Sequence, residues 1–499
     1  MINRRHFVQS SLAAAVACAL PAPRLFALDQ AASQAAGGLA AVKLDGSATV
    51  IEQAALADLK ASLRGPLLVA GDAGYDEARR VLNRSIDKRP ALVVQPTGVA
   101  DIRNAVTFAR ERELLVAVKC GGHSFGGKST CDGGMQIDLS RLRGVRIDPA
   151  ARVAWVEGGS LLGEIDHETM AHGLVTTTGT VSHTGVGGLT LGGGFGRLAR
   201  RFGLAIDNLR AVDIVTADGR FLHADADENP DLYWGVRGGG GNFGVVTSFE
   251  FSLHPMQRQV VAGDIAFPID RARELLEFYA EYSSGAPPEL YVDAIMATPP
   301  GSKPGVFLLS TCYSGPAGDA ERVLAPIRKL GKPLSDAIGP MDYVAAQRMH
   351  DNADPRNIGT YLKSGFIGGF RAGLIDAMVD GYVPDPERAT MLFFQNGGGA
   401  IGKVAADATA FPHRYATHNV LTLVSWPLER DRTPHVDYLR GAWSRLEPFT
   451  RGYYTNEVAD EAQSVVDDNY QGNLGRMREV KRKHDPMNLF RLNANVLPA

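Results

Sequence analysis

The placement of glycine constrains this chain more than any other feature. Many of its 56 glycines crowd into residues 121–127, 185–196 and 238–244. Glycine lacks the Cβ that holds other residues away from neighbouring backbone, so such runs allow close approach to a ligand or another loop. Successive exposed amides in such a bend can also form a concavity for an anion. A single run of this kind would pass as a flexible loop, but three within residues 119–251 would not.

The first run, KCGGHSFGG (Lys119–Gly127), follows a buried-strand pattern and carries one histidine, His123, mid-bend. The second, TGVGGLTLGGGFGRLARRFGLAIDNL (Thr184–Leu209), contains GxGxxG-like spacings. No clear strand of a short βαβ unit leads into it, and no acidic residue stands at the ribose position, so it is not a Rossmann fingerprint. The third, DLYWGVRGGGGNFGVVTSFEF (Asp231–Phe251), places aromatic residues, an arginine and four glycines before a long strand.

At 499 residues, 45% hydrophobic and 21% charged, the chain has ordinary globular composition and length for about two to four domains. A net charge of -3 gives no bias toward nucleic acid or acidic lipid. Arg4, Arg5 and Phe7 precede the short apolar stretch Leu12–Leu20, with a cleavage point near Ala27. This reads as a twin-arginine signal over residues 1–27, with a periplasmic or secreted destination. No later run is long and apolar enough to span a bilayer. Cys18 lies in the signal; Cys120, Cys131 and Cys312 remain, allowing at most one disulfide, Cys120 with Cys131, or small buried fillers. No cysteine–histidine cluster has metal-ligand spacing.

Hydrophobic periodicity predicts strands at Leu92–Val94, Leu114–Val118, Met135–Leu139, Val153–Val156 and Phe243–Leu253, with a helix over Val99–Arg112. Ser160 is expected to cap a helix ending at Gly173, and Val212–Thr216 to enter a hairpin through Ala217–Asp218–Gly219. Residues 256–445 interleave strands such as LYVDAIMA and GVFLLSTCY with helices such as RARELLEFYAEY, which suggests a second α+β domain on an antiparallel sheet. Residues 446–499 hold two adjacent tyrosines and a basic helix, Arg476–Lys483.

These motifs together resemble the FAD-linked oxidases of the vanillyl-alcohol-oxidase superfamily, in the berberine-bridge-enzyme-like branch. The resemblance includes QPTGVADIRNAV (Gln95–Val106) and the tail YYTN…YQGNLGRMREVKRKHDPMNLF. It implies an α+β fold: a PCMH-type FAD domain of two subdomains (45–255), a substrate domain with an antiparallel sheet flanked by helices (256–445), and a closing segment (446–499) that completes the FAD domain. It further implies that His123 bonds covalently to FAD. Where many relatives carry a second-bonding cysteine, the stretch VSHTGVGG has Val181, so one covalent bond is expected. The resemblance also implies FAD contacts from Lys119, Gly121, Gly122, Ser124, Phe125, Gly179, Thr184, Gly185, Gly188, Gly193, Val246, Asn493 and Asn495.

For the chemistry, Tyr454 of the YxN motif is the expected general base, with Tyr453 its neighbour. An unperturbed phenol ionises near pH ~10, so a cation or donor must lower it, and His183 or a lysine is expected to do so. Gln395 and Phe195, the latter where relatives have a tyrosine, are the expected substrate contacts. His413, Lys363, Trp234 and Arg237 read as structural. The expected reaction is hydride transfer from a small organic alcohol or amine, aromatic or heterocyclic, to flavin, with dioxygen reduced to peroxide. The alternatives are a dehydrogenase serving a periplasmic cytochrome or quinone, which Thr184 at the oxygen-access position leaves open, a carbohydrate oxidase, and a flavin-carrying binding protein without turnover.

Overall fold

Short apolar segments flanked by helical periodicity build the first layer. In the computed structural model, which describes residues 37–299, 304–353, 358–457 and 461–499, strands Leu92–Val94 and Val116–Lys119 each lie parallel to Met135–Asp138, while Leu67–Val69 pairs antiparallel at the edge. Parallel strands need crossovers, and the helix Val99–Glu111 supplies one, burying Ile102, Ala105, Val106 and Ala109 against this sheet. Residues 1–27, read as a signal, lie outside the described residues.

The second layer is an antiparallel sheet in the order Phe221–Ala224, Leu209–Thr216, Gly244–Ser252, Val153–Glu157, Val145–Asp148. The Thr216–Arg220 turn closes the hairpin, with Gly219 at φ +80°, where a Cβ would be strained. The helix before this turn departs from the sequence expectation. It spans Leu162–Met170, and Ser160 does not cap it: its hydroxyl donates to Gly144 O, while the Glu164 carboxylate accepts from Leu161 N at 2.7 Å. A nearby carboxylate on the first turn takes the capping role.

Among the described residues, strands between Gln259 and Pro427 form one eight-stranded antiparallel sheet. Its central strand Leu290–Thr298 is buried on both faces, and the helix Ala272–Gly285 packs Leu275, Leu276 and Tyr279 into the same core. The closing segment returns to the glycine-rich part. Tyr470, Met477, Val480 and Val496 share a core with Phe243 and Phe249, and Leu489 and Phe490 join that of the first sheet. A buried ion pair fixes this return: Lys481 Nζ lies 2.7 Å from Asp485 and donates to the carbonyls of Asn242 and Phe490.

Cys120, Cys131 and Cys312 are free thiols, with Cys131 and Cys312 buried. Among the described residues, no helix is long and apolar enough to cross a membrane.

Candidate active site

The glycine runs converge on a cavity of about 350 Å³. Backbone contact between two of them explains their composition. A Cβ on Gly121 would lie 2.4 Å from Gly185 N, and one on Gly185 would lie 2.3 Å from Gly121 N. The two loops therefore clasp each other only as glycines. Gly121, Gly122, His123, Ser124, Phe125, Gly179, Val181, Thr184, Gly185, Gly188, Val246 and Asn493 line the cavity. Phe195, Gln395 and Tyr454 line it as well. Residues distant in sequence thus meet on one surface.

Four expected site residues lie elsewhere. Lys119, at the end of its strand, turns beneath the loop, where its ammonium donates to Ala78 O and pairs with Asp138 at 3.5 Å. Burial of a lysine requires such partners, and they keep it from the cavity. Gly193 adopts φ +134°, and its Cβ position faces the rings of Phe411 and Tyr454, so it leaves room for the tyrosine. The carbonyl of Asn495 accepts from Gln463 within the closing segment. His183 lies beside His123, the rings tilted by 35° with centroids 4.7 Å apart, and its Nδ1 is 2.6 Å from His123 Nε2. The other ring nitrogen of His183 lies 3.2 Å from Asp351 O, and the Asp351 carboxylate accepts from Ser182. His183 thus orients His123 and is not a hydrogen-bond partner of Tyr454.

The hydroxyl oxygen of Tyr454 accepts from Gly194 N at 3.0 Å and from Asn456 Nδ2 at 2.8 Å. Asn456 is itself held by Leu189 O at 3.1 Å, in a space that exists because position 192 is glycine. Burial pushes the Tyr454 phenol well above its ordinary range, and the charge of Glu457 pushes it further, outweighing these two donors. The cation expected to lower it is replaced by a carboxylate, so Tyr454 keeps its proton at neutral pH. Its ring meets Phe195 edge-on, and Phe195 stacks on Phe366.

Sequence reasoning passed over Glu457 and over Gly194, whose N–H donates to the Tyr454 hydroxyl. Glu457 lines the cavity and is pushed up to about 7 by burial, against hydrogen bonds from Asn419 and Ser364. The signal was a carboxylate directly after Tyr454-Thr455-Asn456. Residues read as structural behave so. Lys363 pairs with Glu461, Trp234 Nε1 donates to Asp407 O at 2.7 Å, and Arg237 donates to Ala408 O. His413 is buried and pushed down to about 3 by that burial. Tyr453 is buried, its backbone N–H donating to Asn469.

The cavity fits FAD. Gly188 and Gly240 offer backbone with no side chain within 4 Å of a Cβ position. Ser129 and Asn493 line the cavity, and among the described residues their buried Oγ and Oδ1 have no hydrogen-bond partner. Val118, Leu139, Val246 and Phe490 give apolar wall for a flat ring system.

Comparisons with known proteins agree with this geometry. Residues 90–225 match the family model described as FAD binding domain, and residues 453–497 match berberine and berberine like. The chain is 31% identical over 442 residues to an FAD-linked oxidoreductase of Dictyostelium discoideum, covering 88% of this chain and 95% of that one. It is 28% identical over 462 residues to (R)-6-hydroxynicotine oxidase of Paenarthrobacter nicotinovorans, covering 88% and 97%. The crystal structure of 6-hydroxy-D-nicotine oxidase from Arthrobacter nicotinovorans superposes with a TM-score of 0.78 at 26% identity, covering 88% and 99%. The glycine clasp, the cavity and the returning tail are therefore those of an FAD-dependent enzyme, and the chain belongs to the berberine-bridge-enzyme-like family of FAD-linked oxidoreductases.

Proposed function

We propose that this enzyme carries FAD on a single covalent bond to His123 and oxidises a small organic alcohol or amine, aromatic or heterocyclic, by hydride transfer. One observation carries the reading: His123 and Tyr454 line the same cavity, the first held by His183 and the hydroxyl of the second by Gly194 and Asn456. A ring nitrogen that is to bond a flavin must be held in one orientation, and the 2.6 Å contact to His183 supports this. Val181 on the cavity wall offers no thiol for a second bond.

Bound FAD would take the hydride and return its electrons to dioxygen, releasing hydrogen peroxide. The chain's own residues do the rest. Tyr454, protonated, donates to or accepts from the substrate heteroatom and fixes its position, since orientation over the acceptor is a large part of such a reaction. Phe195 presents an aromatic ring to the cavity that suits a flat substrate, and Phe366 and Phe411, buried behind it, hold that ring in place. Export by the twin-arginine route, which moves folded proteins, accords with loading the flavin before transport.

Denaturing electrophoresis with flavin fluorescence, followed by mapping of the flavin peptide, tests the attachment. The expected result is fluorescence on the polypeptide at the His123 peptide; all the flavin in the acid supernatant would refute it. Anaerobic bleaching by an alcohol and amine panel, followed by peroxide detection on readmitting air, tests the reaction. Bleaching that dioxygen does not reverse, but an artificial acceptor dye does, would assign the enzyme to the dehydrogenases.

A further inference from the structure

Glu457 is a titratable group on the cavity that the reading above does not use. It follows Tyr454 and Asn456 on the same turn, lies deep in the molecule, and keeps part of its side chain open to the cavity. The groups that hold it are neutral: Asn419 Nδ2 donates to its Oε2 at 2.9 Å, and the Ser364 hydroxyl donates as well. Lys363, on the strand Ile358–Ile367, is engaged with Glu461. Among the described residues Glu457 has no ion-pair partner. Tyr454 is the titratable group that faces it; the strand of Asn419 contributes an amide and that of Gln395 another, joined at 3.3 Å.

This chain otherwise pairs its deep carboxylates or closes them off. Asp207 meets Arg414 at 2.7 Å and Asp485 meets Lys481 at 2.7 Å. Asp166 and Asp293 lack cations, but donors occupy their oxygens and neither lines the cavity. A deep carboxylate left without a counter-ion is costly. One that opens onto the cavity beside Tyr454 and Gln395 is where an incoming ligand supplies the missing charge. An alcohol brings a single hydroxyl and no charge. A protonated amine brings a positive charge and N–H donors to an acceptor that otherwise has only amide and hydroxyl company.

Building on the reading that this cavity oxidises a small organic molecule, we propose that Glu457 selects amine substrates, binding the ammonium group and accepting one of its protons. In that transfer the N–H bond breaks, its electron pair stays on nitrogen, and an O–H bond forms on the Glu457 carboxylate. The amine is left neutral, with a lone pair beside the carbon–hydrogen bond to be oxidised. Glu457 thereby takes the proton-accepting role for which Tyr454 is too weakly acidic.

The test is a titration of the holoenzyme under nitrogen with benzylamine, phenethylamine and N-methylbenzylamine, and with the matching neutral alcohols, read by perturbation of the flavin absorbance. For the wild type at pH 8, amines should bind at least tenfold tighter than their alcohols, and the preference should fall away toward pH 5 as Glu457 becomes protonated. Glu457→Gln should abolish the preference while leaving alcohol binding within about twofold; Glu457→Asp should retain part of it. Alcohols binding the wild type as tightly as amines, a pH-independent preference, or a Glu457→Gln variant that keeps it would each overturn the proposal. The wild-type pH series stands without any variant. Failure of every compound to bleach the flavin would count against the oxidation reading, while the binding preference would still report on Glu457.

Discussion

Replacing Glu457 by glutamine should stabilise the protein in a manner that depends on pH. The folded chain holds this carboxyl at about 7 instead of 4.5, chiefly by burial. Between these values the unfolded chain has lost the proton and the folded chain retains it, so stability falls as pH rises through that window and stays low above it. At ~1.4 kcal/mol for each tenfold change, the ionised carboxyl destabilises the fold by about 3 kcal/mol at pH 8. Glutamine is near in shape to the protonated acid, can accept from Asn419 Nδ2 as Glu457 does, and carries no charge. For a chain of this length the unfolding entropy is ~1 kcal/mol/K, so the difference amounts to about 3 °C in Tm. Thermal unfolding of wild type and Glu457→Gln holoenzyme at matched scan rate, at pH 4.5 and pH 8, is the assay. The variant should match the wild type at the lower pH and exceed it at the higher. A difference that is the same at both values, or a less stable variant at pH 8, would refute the reasoning that Glu457 is a deep carboxyl without a counter-ion.

Other outcomes follow from the same structure. His123→Ala should yield protein whose flavin, if retained at all, leaves entirely on acid precipitation, measured by absorbance of the supernatant. Tyr454→Phe should slow anaerobic flavin reduction by about 10- to 100-fold while the flavin content stays unchanged, since the hydroxyl positions substrate and holds no cofactor. Gly185→Ala should lower flavin content sharply, because its Cβ would fall 2.3 Å from Gly121 N and 2.4 Å from the Cys120 sulfur; the flavin-to-protein absorbance ratio reads this. Asp485→Asn should destabilise the fold by about 3–5 kcal/mol in urea unfolding, since it leaves the buried Lys481 without its ion-pair partner.

Much of the local structure was legible because it follows from periodicity. The strand Leu92–Val94, the helix Val99–Glu111, the hairpin after Thr216 and the basic helix Leu474–His484 all stand where apolar spacing and turn residues put them. The Ser160 cap failed because capping depends on which side chain reaches the first free amides, and Glu164 does so across one turn. His183 was read as a partner for Tyr454 on proximity to the flavin motif, but contact distance assigned it to His123.

Composition and spacing alone marked three glycine loops, one framed histidine and an α+β chain, and it was the resemblance of these motifs and the YxN tail to a known family that implied a flavoenzyme. Local backbone chemistry is written residue by residue, which is why it could be read without coordinates. Which groups share a cavity is another matter, because it depends on strands and loops hundreds of residues apart being brought together. Only the folded chain places Glu457 beside Tyr454 with no cation among the described residues, turns Lys119 beneath its loop toward Asp138, and sets Gln395 on the same cavity as the glycine clasp. The sign and size of a charge's effect come from what surrounds it in space, and sequence neighbours do not specify those surroundings.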